Sequence, residues 1–285
     1  MNKRASNPNF SAISGSRLYG TEVETSDIDI RGFTILPFEY LLGIKDVKCV
    51  EFEGDHKIYS LKRYFELILN GDPMTTELLF CPKDKILSCD EIGQRIIGIG
   101  LKYALSNKSF SRIMGYSNGE WRKAMAVKLV PEKKKKGENE ILNDFWNCYD
   151  FLDKEQKDLI IKTINDGRPF KLEPSMSGLG QKRKAQVEKY GYCTKSAAHS
   201  IRLLKQVTEL MLSGNITFPR PEAKLLRDIR NGELDKKEIE VIYNESRSQA
   251  EAAREFSTLP DKPDMAQAME EYSKVVKEII VDYLK

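Results

Sequence analysis

The sequence predicts an α+β fold in two parts: a small mixed β-sheet domain over residues 1–125 and an all-helical C-terminal domain over residues 126–285. Three observations favour this division. Short apolar segments with strand-like patterns are confined to residues 10–60. Helical spacing dominates after them, and a lysine-rich segment with proline and glycine interrupts the pattern after Pro131.

Two strand-like segments lie in the first part. One contains the apolar positions Ile28, Ile30, Phe33 and Ile35, and the other covers residues 47–52, VKCVEF. Successive residues of a strand point to opposite faces, so alternation of apolar and acidic residues predicts one buried face and one polar face.

The first long helix is predicted over residues 59–69. Leu61, Tyr64, Phe65 and Ile68 recur at helical spacing and would share one face. The tetrapeptide NGDP that follows combines glycine and proline, and it predicts the end of this helix.

The remaining helices are predicted from spacing and capping residues. One would start at Thr75 or Thr76, since threonine is a suitable N-cap. Residues 90–128 are mainly helical in pattern, and strong helices are predicted at 194–212 and 265–284. In the first of these, Ile201, Leu204 and Leu212 are among the apolar positions.

Two basic loops are predicted in the second part. Residues 131–140 contain four consecutive lysines, Lys133 to Lys136, which favour an exposed loop. Residues 166–186 are basic and contain glycine and proline, which also favours a loop. Between these two segments, helical patterns resume from Ile141.

Composition bounds the class of protein. The chain has 285 residues, 40% of them hydrophobic and 31% charged, with a formal net charge of +3. No apolar segment is long enough to span a bilayer, and residues 1–10 lack the apolar stretch of a signal peptide. We therefore expect a cytoplasmic protein without a membrane partner. The small net charge neither requires nor excludes nucleic acid, because local patches matter more.

The cysteines do not predict a metal site. The five thiols form no CxxC pair, and only His56 and His199 could supply imidazole ligands for zinc. Scattered cysteines in a cytoplasmic protein are expected to be buried thiols. They are Cys49, Cys81, Cys89, Cys148 and Cys193.

The segment GSRLYGTEVETSDIDIRGF, residues 15–33, carries the chemistry. Gly15 and Ser16 predict a turn rich in backbone N–H groups, which suits a phosphate chain. Asp27 and Asp29 lie two residues apart, so in a strand their carboxylates would point to the same face and suit a hard divalent cation. Either feature alone is usually a turn or a solvated strand end. Their order and spacing together predict metal-assisted chemistry on a nucleotide.

This segment resembles the signature of the DNA polymerase β-like nucleotidyltransferases, which is Gly-Ser, a gap, and then Asp-x-Asp. Further segments resemble one branch of that superfamily, the RlaP family associated with RNA repair. They are RGF at 31–33, Pro37 and LLG at 41–43; YSLKRYFELILNGDPMTTELLF at 59–80; and TKSAAHSIRLLKQVTELMLSGNITFPRPEAKLLRDIRNGE at 194–233. The middle, about 115 to 190, matches less clearly. The resemblance implies a nucleotidyltransferase domain at 1–125 and a helical domain at 126–285 that closes the active-site cleft.

The resemblance also implies a third carboxylate on a later strand of the same sheet. Asp55 is the first choice, in EFEGDHKIYSL, and Glu51 and Glu53 are alternatives. A turn residue after Gly54 is nearly as plausible for Asp55. As the third acid, Asp55 would bind the catalytic metal with Asp27 and Asp29 and help deprotonate the acceptor hydroxyl.

Phosphate-binding candidates lie at the turn and in the second part. Gly15 and Ser16 would bind the β- and γ-phosphates, and Arg17 would add charge if it is not simply a surface arginine. Lys195, His199 and Arg202 are spaced i, i+4 and i+7 and share one helical face. They predict a cationic wall that neutralises phosphate or holds an acceptor, although an exposed basic stripe is the alternative. Weaker candidates are Arg227 and Arg230 for the cleft, and Tyr190 and Tyr192 for base stacking.

The preferred hypothesis is a metal-dependent nucleotidyltransferase. With Mg²⁺ or Mn²⁺ it would transfer a nucleoside monophosphate from a nucleoside triphosphate such as ATP to a hydroxyl acceptor and release pyrophosphate. The resemblance favours an RNA end, tRNA included, and a protein or small-molecule hydroxyl is the rival acceptor. The alternative from another class is a nucleotide- or nucleic-acid-binding module without turnover. No feature specifically supports a hydrolase, since the chain has no HD pair.

Overall fold

The computed structural model of the protein describes residues 8–24, 26–41, 44–45, 47–52, 56–131, 170–176 and 179–285. The strands are β1 (Phe10–Ser14), β2 (Asp29–Thr34), β3 (Cys49–Phe52), β4 (His56–Ser60), β5 (Ile86–Cys89), β6 (Val127–Pro131) and β7 (Phe170–Pro174). The helices are α1 (Ser16–Tyr19), α2 (Phe38–Leu41), α3 (Leu61–Leu69), α4 (Pro73–Leu78), α5 (Glu91–Ile99), α6 (Asn107–Ala124), α7 (Gln181–Tyr190), α8 (Thr194–Ser213), α9 (Ala223–Asn231), α10 (Lys236–Glu255) and α11 (Met265–Leu284). The predicted α+β fold is confirmed.

The N-terminal sheet has five strands in the order β3-β4-β2-β1-β5. The β2–β4 pair is parallel and the other three pairs are antiparallel, which makes the sheet mixed as predicted. β2 is the central strand, and its residues from Arg31 to Thr34 are all buried. The mainly helical second half also contains a two-stranded antiparallel sheet, β6 with β7, which the helical patterns did not predict.

The chain divides into two compact units that interleave along the sequence. Unit 1 comprises Met1–Phe110, Glu209–Lys224 and Phe256–Lys285, and unit 2 comprises Ser111–Thr208 and Leu225–Glu255. Two consecutive domains, 1–125 and 126–285, were expected. The interleaving arises because α11, at the far end of the sequence, packs into the core of the N-terminal unit.

The core of unit 1 lies between the sheet, α3, α5 and α11. The Phe33 ring of β2 lies 4.5 Å from the Tyr64 ring of α3 and 5.9 Å from the Phe10 ring of β1. Phe65 stacks on Tyr272 of α11, with ring centroids 4.1 Å apart. Tyr64, Phe65 and their helical neighbours Leu61 and Ile68 are buried, so the predicted face of α3 is confirmed.

Capping residues explain where several helices of unit 1 begin. Ser60 Oγ accepts from Arg63 N at 3.3 Å, so α3 starts at Leu61, two residues after the predicted start. Asp72 Oδ1 accepts from Thr75 N at 3.1 Å, and Pro73 occupies the first helical position of α4. The prediction that a threonine caps this helix was therefore wrong.

In unit 2, α6, α8 and α10 pack through both polar and aromatic contacts. Ser117 Oγ donates to Ser200 O at 3.0 Å, and Ser200 Oγ donates to Ser117 O at 2.9 Å. Trp121 stacks on Tyr243 with ring centroids 3.8 Å apart, and Tyr243 Oη donates to Asn118 Oδ1 at 2.8 Å. These contacts use side chains within residues 117–121 of α6, so they fix its rotation against both partners.

Some predictions for the second half need correction. Residues 170–174 form β7 and residues 181–190 form α7, where a continuous loop over 166–186 was expected. The helix at 194–212 is confirmed as α8, but Leu212 is 59% exposed rather than part of the core. The Lys133 to Lys136 loop and the helices predicted from Ile141 lie outside the described residues.

The described cysteines are free thiols. Cys193 is buried as expected, whereas Cys49, Cys81 and Cys89 are only half-buried, and Cys148 lies outside the described residues. Burial raises the pKa of the Cys81 thiol to about 12. Within the described segments, no helix combines the length and hydropathy that crossing a membrane requires.

Candidate active site

The Gly-Ser turn lies directly against one of the predicted metal ligands. Antiparallel pairing of β1 with β2 places Ser14, the last residue of β1, opposite Asp29, the first residue of β2. A β-carbon at Gly15 would lie 1.8 Å from Asp29 Oδ2, and the φ of Gly15 is 66°. Only glycine leaves room for this carboxylate and adopts this backbone conformation readily. The structure therefore brings Gly15 and Asp29 together.

A short helix continues from the turn and orders its backbone. Leu18 N and Tyr19 N both donate to Gly15 O at 3.1 Å, and Thr21 N donates to Ser16 O at 2.9 Å. Leu18 is 1% exposed and anchors this helix, α1, in the core. The Gly15–Ser16 peptide is thus held in one conformation beside Asp29, which is the preorganisation that recognition of a phosphate chain needs.

Asp27 lies in an exposed loop that precedes β2. The loop is closed by Ser26, whose N donates to Val23 O at 2.8 Å and whose Oγ accepts from Val23 N at 2.9 Å. Ile28 is 49% exposed, so the predicted burial of this apolar position was wrong. The strand rule that places residues i and i+2 on one face applies only from Asp29 onward, because β2 begins there.

Arg17 holds this loop. Its Nη2 donates to Ser26 O at 3.1 Å, which ties α1 to the residue that precedes Asp27. The sequence suggested a phosphate contact or a surface side chain, and this hydrogen bond gives Arg17 a third role in positioning the loop.

Two basic residues, Arg31 and Lys57, follow Asp29 on the same face of the sheet. Arg31 follows Asp29 by two positions in β2, is 8% exposed, and pairs in register with Lys57 of β4. Next along β4 is Tyr59, two positions further on this face. Burial raises the pKa of Tyr59, as does Asp72, while Lys57 and Arg31 act in the opposite direction. The same i, i+2 alternation that pointed to Asp27 and Asp29 in the sequence could also have pointed to Arg31 as a residue of this face.

The candidates for the third carboxylate are Asp55, Glu51 and Glu53. Asp55 and Glu53 lie outside the described residues. Glu51 belongs to β3, where its register partner is Lys57. Among the residues that the structure describes, no group of three histidine, cysteine or acidic side chains is placed to share a metal ion.

The donor atoms present nevertheless suit a hard divalent cation. Asp27 is exposed and Asp29 is half-buried, and both offer carboxylate oxygens, the ligands that Mg²⁺ and Mn²⁺ prefer. Mg²⁺ usually takes one or two protein carboxylates and completes its shell with water and substrate phosphates. Because Asp29 Oδ2 lies against the Gly-Ser turn, a cation there would be adjacent to a bound phosphate chain.

The second predicted constellation lies on α8, in unit 2. Lys195 and His199 are exposed, whereas Arg202 is 4% exposed and its Nη1 donates to Gln206 Oε1 at 2.6 Å. The helical spacing is as predicted, but the three side chains do not form a uniform stripe. The predicted cleft between the two parts of the chain stays a prediction.

His199 is not a cation at neutral pH. Part of the residue is accessible to solvent, but the protein that surrounds the imidazole lowers its pKa, and Arg202 lowers it further. Lys123 and Arg183 act in the same direction, whereas Glu120 opposes them. The imidazole is therefore neutral and can accept or donate a hydrogen bond.

Glu120 of α6 keeps its charge beside this histidine. Burial would raise the pKa of the Glu120 carboxyl, but the hydrogen bond and the charge of Lys123, together with the Ser196 hydroxyl, lower it. Lys123 Nζ donates to Glu120 Oε1 at 2.6 Å. A carboxylate that faces the predicted stripe was not expected from the sequence, because Glu120 lies 79 residues before His199.

The two tyrosines proposed for base stacking differ. Tyr192 is fully buried, its Oη donates to Leu234 O at 2.9 Å, and burial raises its pKa to about 12. It is therefore a core residue and not a stacking platform. Tyr190 is half-buried beside Gly232, where a β-carbon would lie 2.2 Å from its Cε1. Arg227 and Arg230, the weaker cleft candidates, are half-buried on α9.

Comparisons with known proteins find a family match and a distant curated relative. A model of the family described as "RlaP: RNA repair pathway DNA polymerase beta family" matches residues 7–279. A curated protein of Enterobacteria phage T4, described as an uncharacterized 38.9 kDa protein in the nrdC-mobD intergenic region, is 21% identical over 315 aligned residues. That alignment covers 90% of this chain and 91% of the phage protein. No solved structure matches.

Proposed function

Because this chain belongs to the RNA repair pathway DNA polymerase beta family, we propose that it is a metal-dependent nucleotidyltransferase that adds a nucleoside monophosphate to an RNA end. Membership of this family supports a nucleotidyltransferase with nucleotide and nucleic-acid substrates. One observation carries the finer proposal: strand pairing places the Gly15–Ser16 turn against the Asp29 carboxylate.

The turn would bind the triphosphate. Backbone N–H groups at Gly15 and Ser16, with the Ser16 hydroxyl, would donate to the oxygens of the β- and γ-phosphates. α1 and its hydrogen bonds to Gly15 O hold these groups in place before the substrate arrives. Transfer of the nucleotidyl group then depends mainly on positioning the α-phosphorus and on offsetting the charge that develops on pyrophosphate.

Asp27 and Asp29 would hold Mg²⁺ or Mn²⁺ at this site. When bound, such an ion offsets the charge on the attacking and leaving oxygens. Asp55 is the candidate for the third ligand. His56, the residue after Asp55, is the first residue of β4 and pairs in parallel with Ile30, the residue after Asp29. This register supports Asp55 over Glu51, and Asp55 would also take the proton of the acceptor hydroxyl.

Residues of α8 would serve the polyanionic substrates. Lys195 is exposed and would contact phosphate directly. His199, neutral beside Glu120, would act as a hydrogen-bonding group toward a phosphate or a ribose hydroxyl. Arg202 is buried against Gln206 and would act by holding the helix surface in place.

Pyrophosphate release and label transfer test the proposal together. The purified protein would receive each ribonucleoside triphosphate labelled at the α-phosphate, with Mg²⁺ or Mn²⁺. RNA with a free 3′-hydroxyl, RNA with a blocked 3′ end, a protein extract and an aminoglycoside would serve as acceptors. We expect pyrophosphate release with label on the free-ended RNA, and loss of both in Asp29→Asn.

The other outcomes separate the alternatives. Label on protein or on the small molecule would replace the RNA end as the acceptor and keep the reaction class. Nucleotide or RNA binding without pyrophosphate release under any condition would overturn the enzyme and favour a binding module. Glu24→Gln is the matched control, because Glu24 is an exposed carboxylate in the same loop as Asp27.

A further inference from the structure

Arg220 is a buried residue that organises the segment around it in unit 1. Its side chain is 2% exposed. Nε donates to Glu222 Oε1 at 2.9 Å, and Nη1 donates to Thr217 O at 3.1 Å and to Glu209 Oε2 at 2.5 Å. A guanidinium donates several hydrogen bonds in fixed directions and so sets the conformation of the chain around it. An ammonium group lacks this fixed geometry. Residues 217–222 are therefore locked to the end of α8.

Glu209 completes this network from α8. Its Oε1 accepts from Thr217 N at 3.0 Å and from Thr217 Oγ1 at 2.5 Å. Burial alone would raise the pKa of Glu209, but the hydrogen bonds from Thr217 and Arg220 lower it. The carboxylate is therefore ionised at neutral pH and forms a charged, hydrogen-bonded pair with Arg220.

The locked segment contacts the helix that follows the Gly-Ser turn. Arg220 N donates to Tyr19 O at 3.0 Å. A β-carbon on Gly20 would lie 2.8 Å from Pro219 Cβ, and the φ of Gly20 is 71°. The rings of Tyr19 and Phe218 lie 6.2 Å apart. The end of α1 is thus held by three successive residues of the segment.

A second contact holds Tyr19 from α4. Tyr19 Oη donates to Glu77 Oε2 at 2.7 Å, and Glu77 is 2% exposed. Backbone and side chain of Tyr19 are therefore fixed by different elements of unit 1. Since α1 has only four residues, a shift at Tyr19 moves Ser16 and Gly15 with it.

We propose that Arg220 is a positioning residue of the triphosphate site: it orders residues 217–220, which hold Tyr19 and Gly20 and so fix the Gly15–Ser16 turn against Asp29. This inference rests on the proposed function for the identity of the ligand. It adds a residue 204 positions away from Ser16 in the sequence to the determinants of triphosphate affinity.

Arg220→Lys tests the proposal, with Arg95→Lys as the matched control. Lysine keeps the charge but loses the fork of donors. Arg95 also forms a two-nitrogen contact with a carboxylate of unit 1, Glu278, and this contact joins α5 to α11 rather than to α1. The measurements are the KM and kcat for pyrophosphate release, and amide hydrogen exchange of residues 16–21 in the whole protein without substrate.

In Arg220→Lys we expect KM for the triphosphate to rise about tenfold or more, since a misplaced site of this kind costs up to about 100-fold. We expect a smaller fall in kcat and faster amide exchange at residues 16–21. Gly20→Ala should reproduce both changes, because its β-carbon meets Pro219 at the same joint. Arg95→Lys should change neither measurement.

Unchanged exchange at residues 16–21 in Arg220→Lys, or equal effects of Arg220→Lys and Arg95→Lys on KM, would overturn the proposal. A wild-type protein that releases no pyrophosphate would overturn the proposed function instead. The exchange measurement, which needs neither substrate nor turnover, would in that case still decide whether Arg220 fixes the turn.

Discussion

The two candidate constellations, one in each unit, show what sequence spacing can and cannot determine. Gly15 and Asp29 belong to neighbouring strands, and their approach follows from the pairing of Ser14 with Asp29. Lys195, His199 and Arg202 share a helical face, yet one of them is buried and another is neutral. Strand pairing fixes distance between residues. Helical spacing fixes only which side of the helix a residue lies on. The neighbouring elements decide whether its side chain is buried and whether it is charged.

The largest expected effect is at the acids, where Asp29→Asn removes a charge without changing shape. We expect at least about a 10²- to 10³-fold loss of pyrophosphate release, the range for losing one preorganised electrostatic group. Asp27→Asn should behave in the same way. Wild-type turnover in both variants, measured with label at the α-phosphate, would remove the metal site from unit 1. Glu24→Gln should keep full activity.

Gly15→Ala is expected to have the next largest effect, because the new methyl group would displace the Asp29 carboxylate. We expect about a 100-fold fall in kcat/KM, the size of effect that small displacements at reacting groups produce. Gly98→Ala is the control, because a β-carbon at Gly98 meets nothing within 4 Å. Equal activity of the two variants would contradict the contact between the turn and Asp29.

Substitutions on α8 should affect different properties: Arg202→Ala the stability of the protein, and Lys195→Ala its binding of substrate. Arg202→Ala leaves Gln206 without its partner in a buried site, so we expect a loss of about 1–3 kcal/mol in the free energy of unfolding. Lys195→Ala should change that free energy by less than about 0.5 kcal/mol. It should raise KM for the triphosphate or RNA by several-fold. Denaturant titration and steady-state kinetics on both variants test this separation, and the opposite pattern would refute it.

The smallest expected effect is the pH dependence from His199. Its pKa in the folded protein lies below the ordinary value of 6.5, so only the unfolded chain takes up the proton as pH falls below that value. Stability should therefore decline between pH 6.5 and 4.5, and less steeply in His199→Asn. Glu120 changes the pH dependence of stability only below its ordinary pKa of 4.5. Its effect is therefore separate from that of His199. If the free energy of unfolding depended on pH in the same way in both proteins across this window, the pKa of His199 would not be lowered in the fold.

Local signals in the sequence were sufficient for the parts of the fold that depend on neighbouring residues. The α3 face, the α11 bounds and the Gly-Ser turn follow from spacing and composition, and all are present. The burial of Ile28 failed because β2 begins one residue later, and its neighbouring strands on both sides then bury every residue from Arg31 to Thr34.

Contacts between distant segments could not be predicted. The Glu120 carboxylate beside His199 and the Arg220 contact with Tyr19 join segments far apart in sequence, and no periodic pattern records such pairs. The same limit explains Tyr192: its place ahead of a basic helix suggested an exposed aromatic residue, whereas its hydrogen bond to Leu234 holds it inside. Sequence alone therefore located the acids and the turn but not what supports them.

The place of α11 in the core of unit 1 has a consequence during synthesis. Ala268, Val275 and Ile279 fill the same apolar cluster as Phe10 and Phe33, and Arg95 pairs with Glu278 across 183 positions. A nascent chain that has emerged only through β5 has its sheet residues but not the helix that covers them. Domains that fold as units complete this step only when all of their segments are available. The acids at positions 27 and 29 are thus synthesised well before residues 265–284, and they gain their final support only after that helix leaves the ribosome.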